Sequence, residues 1–276
     1  MFVLLNAKHV PVLMYHHVSC CPGLVTLSPK TFRSQMEWLA ENNWKTLSSD
    51  EIELFFQGGK FPRKSVMLTF DDGYLDNWFQ VYPVLKEFNL KAHIFLITGL
   101  IGSGPVRHFP EREYSHRDCE YQIATGKADN VMLRWSEVND MLHSGLIEFH
   151  NHTHTHTRWD KKYSLREEQC KHLQQDLLKG KKYLVEMTGQ CSKHLCWPEG
   201  YYNKDYIQIA KELGFSYLYT TERRMNAPVK GTERLGRIST KERESCAWLK
   251  RRLFYYTTPF FSSLLSLYKG PRLPDD

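Results

Sequence analysis

Val66-Met67-Leu68-Thr69-Phe70-Asp71-Asp72-Gly73 decides how this chain is read. Five residues rich in apolar and β-forming side chains run into two carboxylates and a glycine, the pattern of a strand that ends at a polar cluster. A second such run, Gly145-Leu146-Ile147-Glu148-Phe149, stops just before His152-Thr153-His154-Thr155-His156. Both polar clusters therefore sit where strands end, and α/β barrels and open α/β sheets build their sites at the C-terminal ends of strands. Helical segments alternate with the strands. Thr31 to Leu39 and Tyr206 to Leu213 carry helical patterning, the latter closed by Gly214, and the alternation predicts an α/β fold with a parallel sheet.

The two clusters hold the residue types of a metal-dependent hydrolase. Side chains four apart share one face of a helical turn, so the spacing predicts that His152 and His156 bind one ion while His154 points away. Asp72 completes a set of two imidazoles and one carboxylate. Such a set leaves coordination positions open for water and substrate, as a hydrolytic site requires, and Asp71 is then free to act as base. Zn²⁺ suits these donors best, with Ni²⁺ and Co²⁺ also compatible.

Taken together and in this order, Thr69-Phe70-Asp71-Asp72-Gly73 and His152-Thr153-His154-Thr155-His156 resemble the first two motifs of the polysaccharide deacetylases, the chitooligosaccharide-deacetylase homology family or carbohydrate esterase family 4. The resemblance covers about residues 10 to 240. Leu133 to Glu137 and Met141 to Gly145 are similar to the helix before the second motif, and Lys91 to Leu96 to the family's second strand. It implies a single-domain, distorted (β/α)7-type barrel over residues 1–250. Trp197-Pro198-Glu199-Gly200-Tyr201 resembles the third motif with Glu199 in place of its second aromatic residue. By that resemblance Trp197, Pro198, Glu199, Gly200 and Tyr201 line the substrate wall, and a backbone N–H after Pro198 helps hold the oxyanion. Tyr15-His16-His17 is similar to the start of the subgroup that deacetylates β-1,6-linked N-acetylglucosamine polymers, which makes His16 the candidate general acid, with His17 as its competitor. Arg237, in Leu235-Gly236-Arg237-Ile238-Ser239, matches an arginine of the same subgroup and is expected to orient Asp71 or another carboxylate of the site.

Length and composition set the frame. With 276 residues and no internal repeat, the chain suffices for one domain with a full core. Residues 103–130, polar and rich in charge, read as an irregular insertion or lid over the site. The seven cysteines lack metal-finger spacing and are read as spectators, and the first eight residues lack the form of a secretory signal, which gives an expectation of a cytoplasmic protein. The net charge of +6 comes with no nucleic-acid motif, so a nucleic-acid partner is not expected. Residues 251–276 form an aromatic and basic tail, too short and too interrupted by Pro259 to span a bilayer; it either packs on the barrel or makes peripheral contact with the inner membrane. The reading that unites these features is a metal-dependent N-deacetylase acting on an N-acetylhexosamine, with N-acetylglucosamine first, in a bacterial surface glycan or its lipid-linked precursor, such as lipopolysaccharide core or capsule. A deacetylase of small amino sugars or other amides, and a catalytically silent glycan-binding protein, are the alternatives.

Overall fold

A computed structural model describes residues 6–109, 112–241 and 244–266. Seven strands form its main sheet: β1 (Val12–Tyr15), β2 (Ser65–Asp72), β3 (Ala92–Leu96), β4 (Ile147–Asn151), β5 (His194–Cys196), β6 (Tyr217–Tyr219) and β7 (Ile238–Ser239). They lie in the order β7-β1-β2-β3-β4-β5-β6, all parallel. Lys45–Thr46 adds a short strand beside the start of β2. The sheet curls until its edges meet. Leu235, three residues before β7, accepts from Thr220 N and donates its own N–H to Leu218 O at the end of β6. The result is a mixed α/β single domain with a curled parallel sheet of the (β/α)7 type.

Local sequence explains the elements. All eight residues of β2 are buried, as a central parallel strand demands. Helix α1 (Pro29–Glu41) starts with Ser28 accepting from Thr31 N and with Pro29 in its first turn, then buries Phe32, Gln35, Met36 and Leu39 at the i, i+3, i+4, i+7 spacing. Helix α2 (Ser49–Phe56) opens on a reciprocal capping box between Ser48 and Glu51.

Two expectations change. Residues 103–130 are not irregular: they contain helix α3 (His116–Ala124), capped by Ser115 and Asp118, because that pair satisfies the first free N–H groups of the helix. Residues 110 and 111 of the segment lie outside the described residues. The boundary at 250/251 also falls inside a helix. Helix α4 (Arg166–Thr188) and helix α5 (Lys204–Glu212) belong to the barrel, and helix α6 (Cys246–Thr257) runs through the boundary, burying Leu249, Leu253 and Tyr256 in the main core. Its apolar spacing continues past residue 250, so no break in packing occurs there. Pro259 starts a further helix, α7 (Pro259–Ser266), and residues 267–276 of the tail lie outside the described residues. Among the described residues, no helix is long and apolar enough to cross a membrane.

Candidate active site

At the C-terminal end of β2 the backbone turns sharply, with φ of 74° at Asp72 and 84° at Gly73. A side chain at Gly73 would place its Cβ 2.6 Å from Leu96 Cδ2, so glycine is required both by the torsion and by the packing. Asp71 and Asp72 both line a cleft of about 430 Å³ together with His16, His152, His156, Trp197 and Arg237.

His152 and His156 reach Asp72 by a route other than the one their spacing predicts. The segment after β4 is a loop, with left-handed φ values of 63° at Thr153 and 56° at His156, so the pair does not occupy one turn of helix. Side chains elsewhere impose the loop. Asn151 Oδ1 accepts from Thr153 N, and the Thr153 hydroxyl accepts from His156 N. Asp176, buried on α4, accepts from His154 N and Thr155 N through Oδ1 and from the Thr155 hydroxyl and Trp159 Nε1 through Oδ2. Gly180, one turn further along α4, lets the helix approach: a Cβ there would meet Asn151 Nδ2 at 2.7 Å. The two imidazoles finish with ring centroids 4.7 Å apart, and their Nε2 atoms lie 3.3 Å (His152) and 3.8 Å (His156) from Asp72 Oδ1. His154 does point away, packing its ring on Tyr183 with Nδ1 3.0 Å from Thr98 Oγ1.

These three residues fit a divalent ion. His152 Nδ1 lies 2.8 Å from the Cys196 carbonyl, which only accepts, so Nδ1 carries a proton; burial works against charge on the ring, but Cys196 and Asp72 outweigh it and hold His152 well above its ordinary value, so an ion would take the place of the Nε2 proton that faces Asp72. Burial and the neighbouring His152 push His156 down to about 4, which keeps its imidazole neutral at physiological pH. Burial works against ionisation of Asp72, but the facing histidines more than compensate and hold it below the usual carboxylate range. One carboxylate oxygen and two imidazole nitrogens thus converge, all within 4.8 Å of one another.

Asp71 belongs to a different group. Arg237, itself 1% exposed, donates from Nη1 to Oδ1 at 2.7 Å and from Nη2 to Oδ2 at 2.8 Å. Burial would raise the Asp71 carboxyl; the guanidinium and His16 outweigh it and hold the group below its ordinary value. His16 Nε2 stands 3.7 Å from Asp71 Oδ2, and Asn77 Nδ2 donates to the His16 carbonyl just after β1. His17 is directed elsewhere, with Nδ1 on Asp76, Nε2 on His116 and its ring against Tyr74. Burial draws His16 below its ordinary value against the pull of Asp71 and Asp72.

Trp197, Glu199 and Gly200 line the cleft, whereas Pro198 and Tyr201 stand outside its lining. The turn Pro198–Gly200 closes through Gly200 N to Trp197 O and Tyr201 N to Pro198 O, and Glu199 N, the first N–H after the proline, is the donor an oxyanion contact would use. The Glu199 carboxylate turns outward to Arg158 at 2.6 Å and Lys161 at 2.8 Å, and Arg158 covers the Tyr201 ring. From α3, His116, Glu120, Ile123 and Ala124 form one wall of the same cleft.

Sequence reasoning missed Asp176, Gly180 and Cys196. The last is no spectator: its carbonyl fixes His152, and its thiol lies 3.0 Å from Arg237 Nη2. A glycine inside a 23-residue helix was the available signal, because it weakens a helix unless something must come close.

The family model described as polysaccharide deacetylase matches residues 58–218, which include both the Asp pair and the histidine loop. The chain belongs to the polysaccharide deacetylase family. It is similar to a Staphylococcus aureus (strain MRSA252) poly-β-1,6-N-acetyl-D-glucosamine N-deacetylase, with 29% identity over 205 residues that make up 74% of this chain and 63% of that protein. The chain thus spans just under two thirds of the length of the curated relatives it matches. Among solved structures, the Streptococcus pyogenes deacetylase PplD in complex with acetate superposes with a TM-score of 0.72 at 22% identity, covering 91% of this chain and 99% of that one. IcaB from Ammonifex degensii gives a TM-score of 0.72 at 22% identity, covering 90% and 98%. These two likenesses establish the polysaccharide deacetylase barrel as the fold.

Proposed function

We propose that the protein is a metal-dependent N-deacetylase that hydrolyses the acetamide of an N-acetylhexosamine, foremost N-acetylglucosamine, within a bacterial surface glycan or its lipid-linked precursor. The observation that carries this reading is the arrangement of Asp71 and Asp72 in one cleft: Asp72 faces two imidazoles, and Asp71 is held as a carboxylate by Arg237. Asp72, His152 and His156 would hold a divalent ion such as Zn²⁺, which would polarise the acetyl carbonyl and acidify a water molecule. Asp71, kept as a carboxylate by Arg237, is the base that takes the proton of the attacking water. Glu199 N donates to the oxygen on which negative charge develops, and His16, 3.7 Å from Asp71, delivers a proton to the departing amine, which would otherwise leave as an anion.

A lipid-linked substrate is favoured by an apolar groove of about 860 Å³ that borders the cleft at Thr221. Tyr255, Tyr256, Phe261, Leu264 and Leu265 line it, with Arg252 among them, so an acyl chain and its phosphate find matching surfaces beside the sugar site. On this reading the substrate is a lipopolysaccharide-core or capsule precursor met at the inner membrane surface. The test is acetate release by the Zn²⁺-loaded protein from lipopolysaccharide and from chitooligosaccharides, beside Asp71→Asn. Release from lipopolysaccharide by the wild type alone supports both chemistry and substrate; release from chitooligosaccharides only would discard the lipid-linked part, and no release from either would discard the activity on these glycans.

A further inference from the structure

The interior of a parallel barrel is ordinarily filled by branched apolar side chains. At the end of this barrel away from Asp72, histidines take their place. His93 on β3, His150 on β4 and His194 on β5 are 0%, 3% and 1% exposed, and their rings follow one another at 5.2 Å (His93 to His150) and 4.8 Å (His150 to His194). Phe95 and Tyr219, 5.0 Å apart, pack above them, with the Phe95 ring 5.5 Å from that of His150. A cavity of about 490 Å³ reaches His150, His194 and Glu148 from the N-terminal end, passing Ser49, Asp50 and Cys191.

Hydrogen bonding fixes what the pair at the centre offers. His93 Nε2 lies 2.8 Å from the carbonyl of Leu47, an acceptor only, so Nε2 carries the proton and a neutral His93 presents the lone pair of Nδ1. His150 Nε2 lies 2.9 Å from that atom, and Glu148 Oε2 is 3.7 Å from His93 Nδ1 and 3.9 Å from His150 Nε2. Among the described residues, these two imidazoles are the nitrogen bases within 4.0 Å of the Glu148 carboxylate. With both neutral, the carboxylate has no counter-charge within 4.0 Å among the described residues; His93 Nδ1 already offers a lone pair, and His150 Nε2 offers a second once its proton moves to Nδ1, the condition for holding a cation. Two nitrogens 2.9 Å apart subtend roughly a right angle at an ion about 2.0–2.1 Å from each.

We propose that His93 Nδ1, His150 Nε2 and Glu148 Oε2 bind a divalent ion of the Zn²⁺ class, separate from the site at Asp72. Binding moves the His150 proton from Nε2 to Nδ1, where Ser192 Oγ, 2.7 Å away, accepts it as a hydrogen bond, so the ring stays neutral and no proton is lost. Ser49, which donates from N and Oγ to Glu148, holds the carboxylate in place from the start of α2. The ion ties β3 and β4 to that helix, and the cavity is its way in. Its role is structural, and it takes no part in the chemistry at the other end of the barrel.

The test is the zinc content of the full chain after chelation, reloading and dialysis. Two equivalents are expected in the wild type, one in Asp72→Asn/His156→Gln, and none when His93→Gln is added to that pair. Retention of nothing by Asp72→Asn/His156→Gln would overturn the site, and so would retention of one equivalent after His93→Gln, since the ion would then lie elsewhere. A protein unaltered at His93, His150 and Glu148 gives a second reading: Co²⁺ added to Asp72→Asn/His156→Gln should show the visible bands of an ion bound by nitrogen and oxygen, and the spectrum of free aqueous Co²⁺ would overturn the proposal even if His93→Gln does not fold. Both measurements are independent of deacetylase activity.

Discussion

Arg237 and Asp71 form a buried, two-pronged pair, guanidinium to carboxylate, at 2.7 and 2.8 Å across the barrel mouth between β7 and β2. Removing one partner leaves a buried charge uncompensated, which typically costs about 3–5 kcal/mol. Arg237→Gln is therefore expected to lower stability by that order. Asp71 is depressed mainly by this arginine acting against burial, so its carboxyl must rise in the variant and the acid limb of the kcat/KM profile must move to higher pH. Urea unfolding and a pH–rate profile check both; an unmoved acid limb with intact fold would mean that Arg237 does not set the ionisation of Asp71.

Asp176 organises the histidine loop from a helix that contributes no group to the cleft lining. Asp176→Asn keeps the size of the side chain but turns an acceptor into a donor facing donors. The expected outcome is a 10- to 100-fold weaker metal affinity, on the order found when groups that orient metal ligands are changed, with far-ultraviolet circular dichroism unchanged. Isothermal titration with Zn²⁺ measures it, read on a Glu148→Gln background so that only the Asp72 site is counted.

Gly180→Ala inserts a methyl group where Asn151 Nδ2 would stand 2.7 Å away and the backbone at Thr153 and His154 about 3.2 Å. Helix propensity alone would favour alanine by about 1 kcal/mol. The clash is expected to reverse that sign, with a net destabilisation of about 1–3 kcal/mol and loss of activity, because the displaced backbone carries the loop of His156. A more stable Gly180→Ala protein with full activity would show that the helix can retreat without moving the loop.

How much of this was legible in the chain follows from where each constraint lies. The Asp pair and the two histidines that face Asp72 stand in short motifs at the ends of apolar runs, and the fold follows from the alternation of such runs with helices. The shape of the histidine loop was not legible. A spacing of four fits a helical turn, yet Thr153 and His156 are left-handed because Asp176 and Gly180, twenty or more residues later, bind and crowd that backbone. Choosing between His16 and His17 likewise needed three dimensions: Asp76 and His116, distant in sequence, claim His17 and leave His16 facing Asp71. The helix at 116–124 was carried by a local Ser115–Asp118 box, a signal outweighed by the charge around it.

At the far end of the barrel, His194 and Lys193 hold the Glu53 carboxyl down to about 2. A carboxyl depressed in the folded state contributes stability above its unfolded value, near 4.3, and loses it as pH falls toward the folded value. The gap in urea midpoint between wild type and Glu53→Gln is therefore expected to be full at pH 6, smaller at pH 4 and nearly closed by pH 2.5. A gap that stays constant over that range would show that charge on Glu53 contributes nothing.

The left-handed turn at Asp72 also bears on transplantation. Along a regular strand, neighbouring side chains point to opposite faces, so two consecutive aspartates would serve two different surfaces. Here the torsion at Asp72 swings the second carboxylate round to join the first. Copying Thr-Phe-Asp-Asp-Gly onto the end of an ordinary strand would therefore move the letters without the chemistry; what must be grafted is the bend, along with the leucine at 96 that leaves room for nothing larger than the glycine after it.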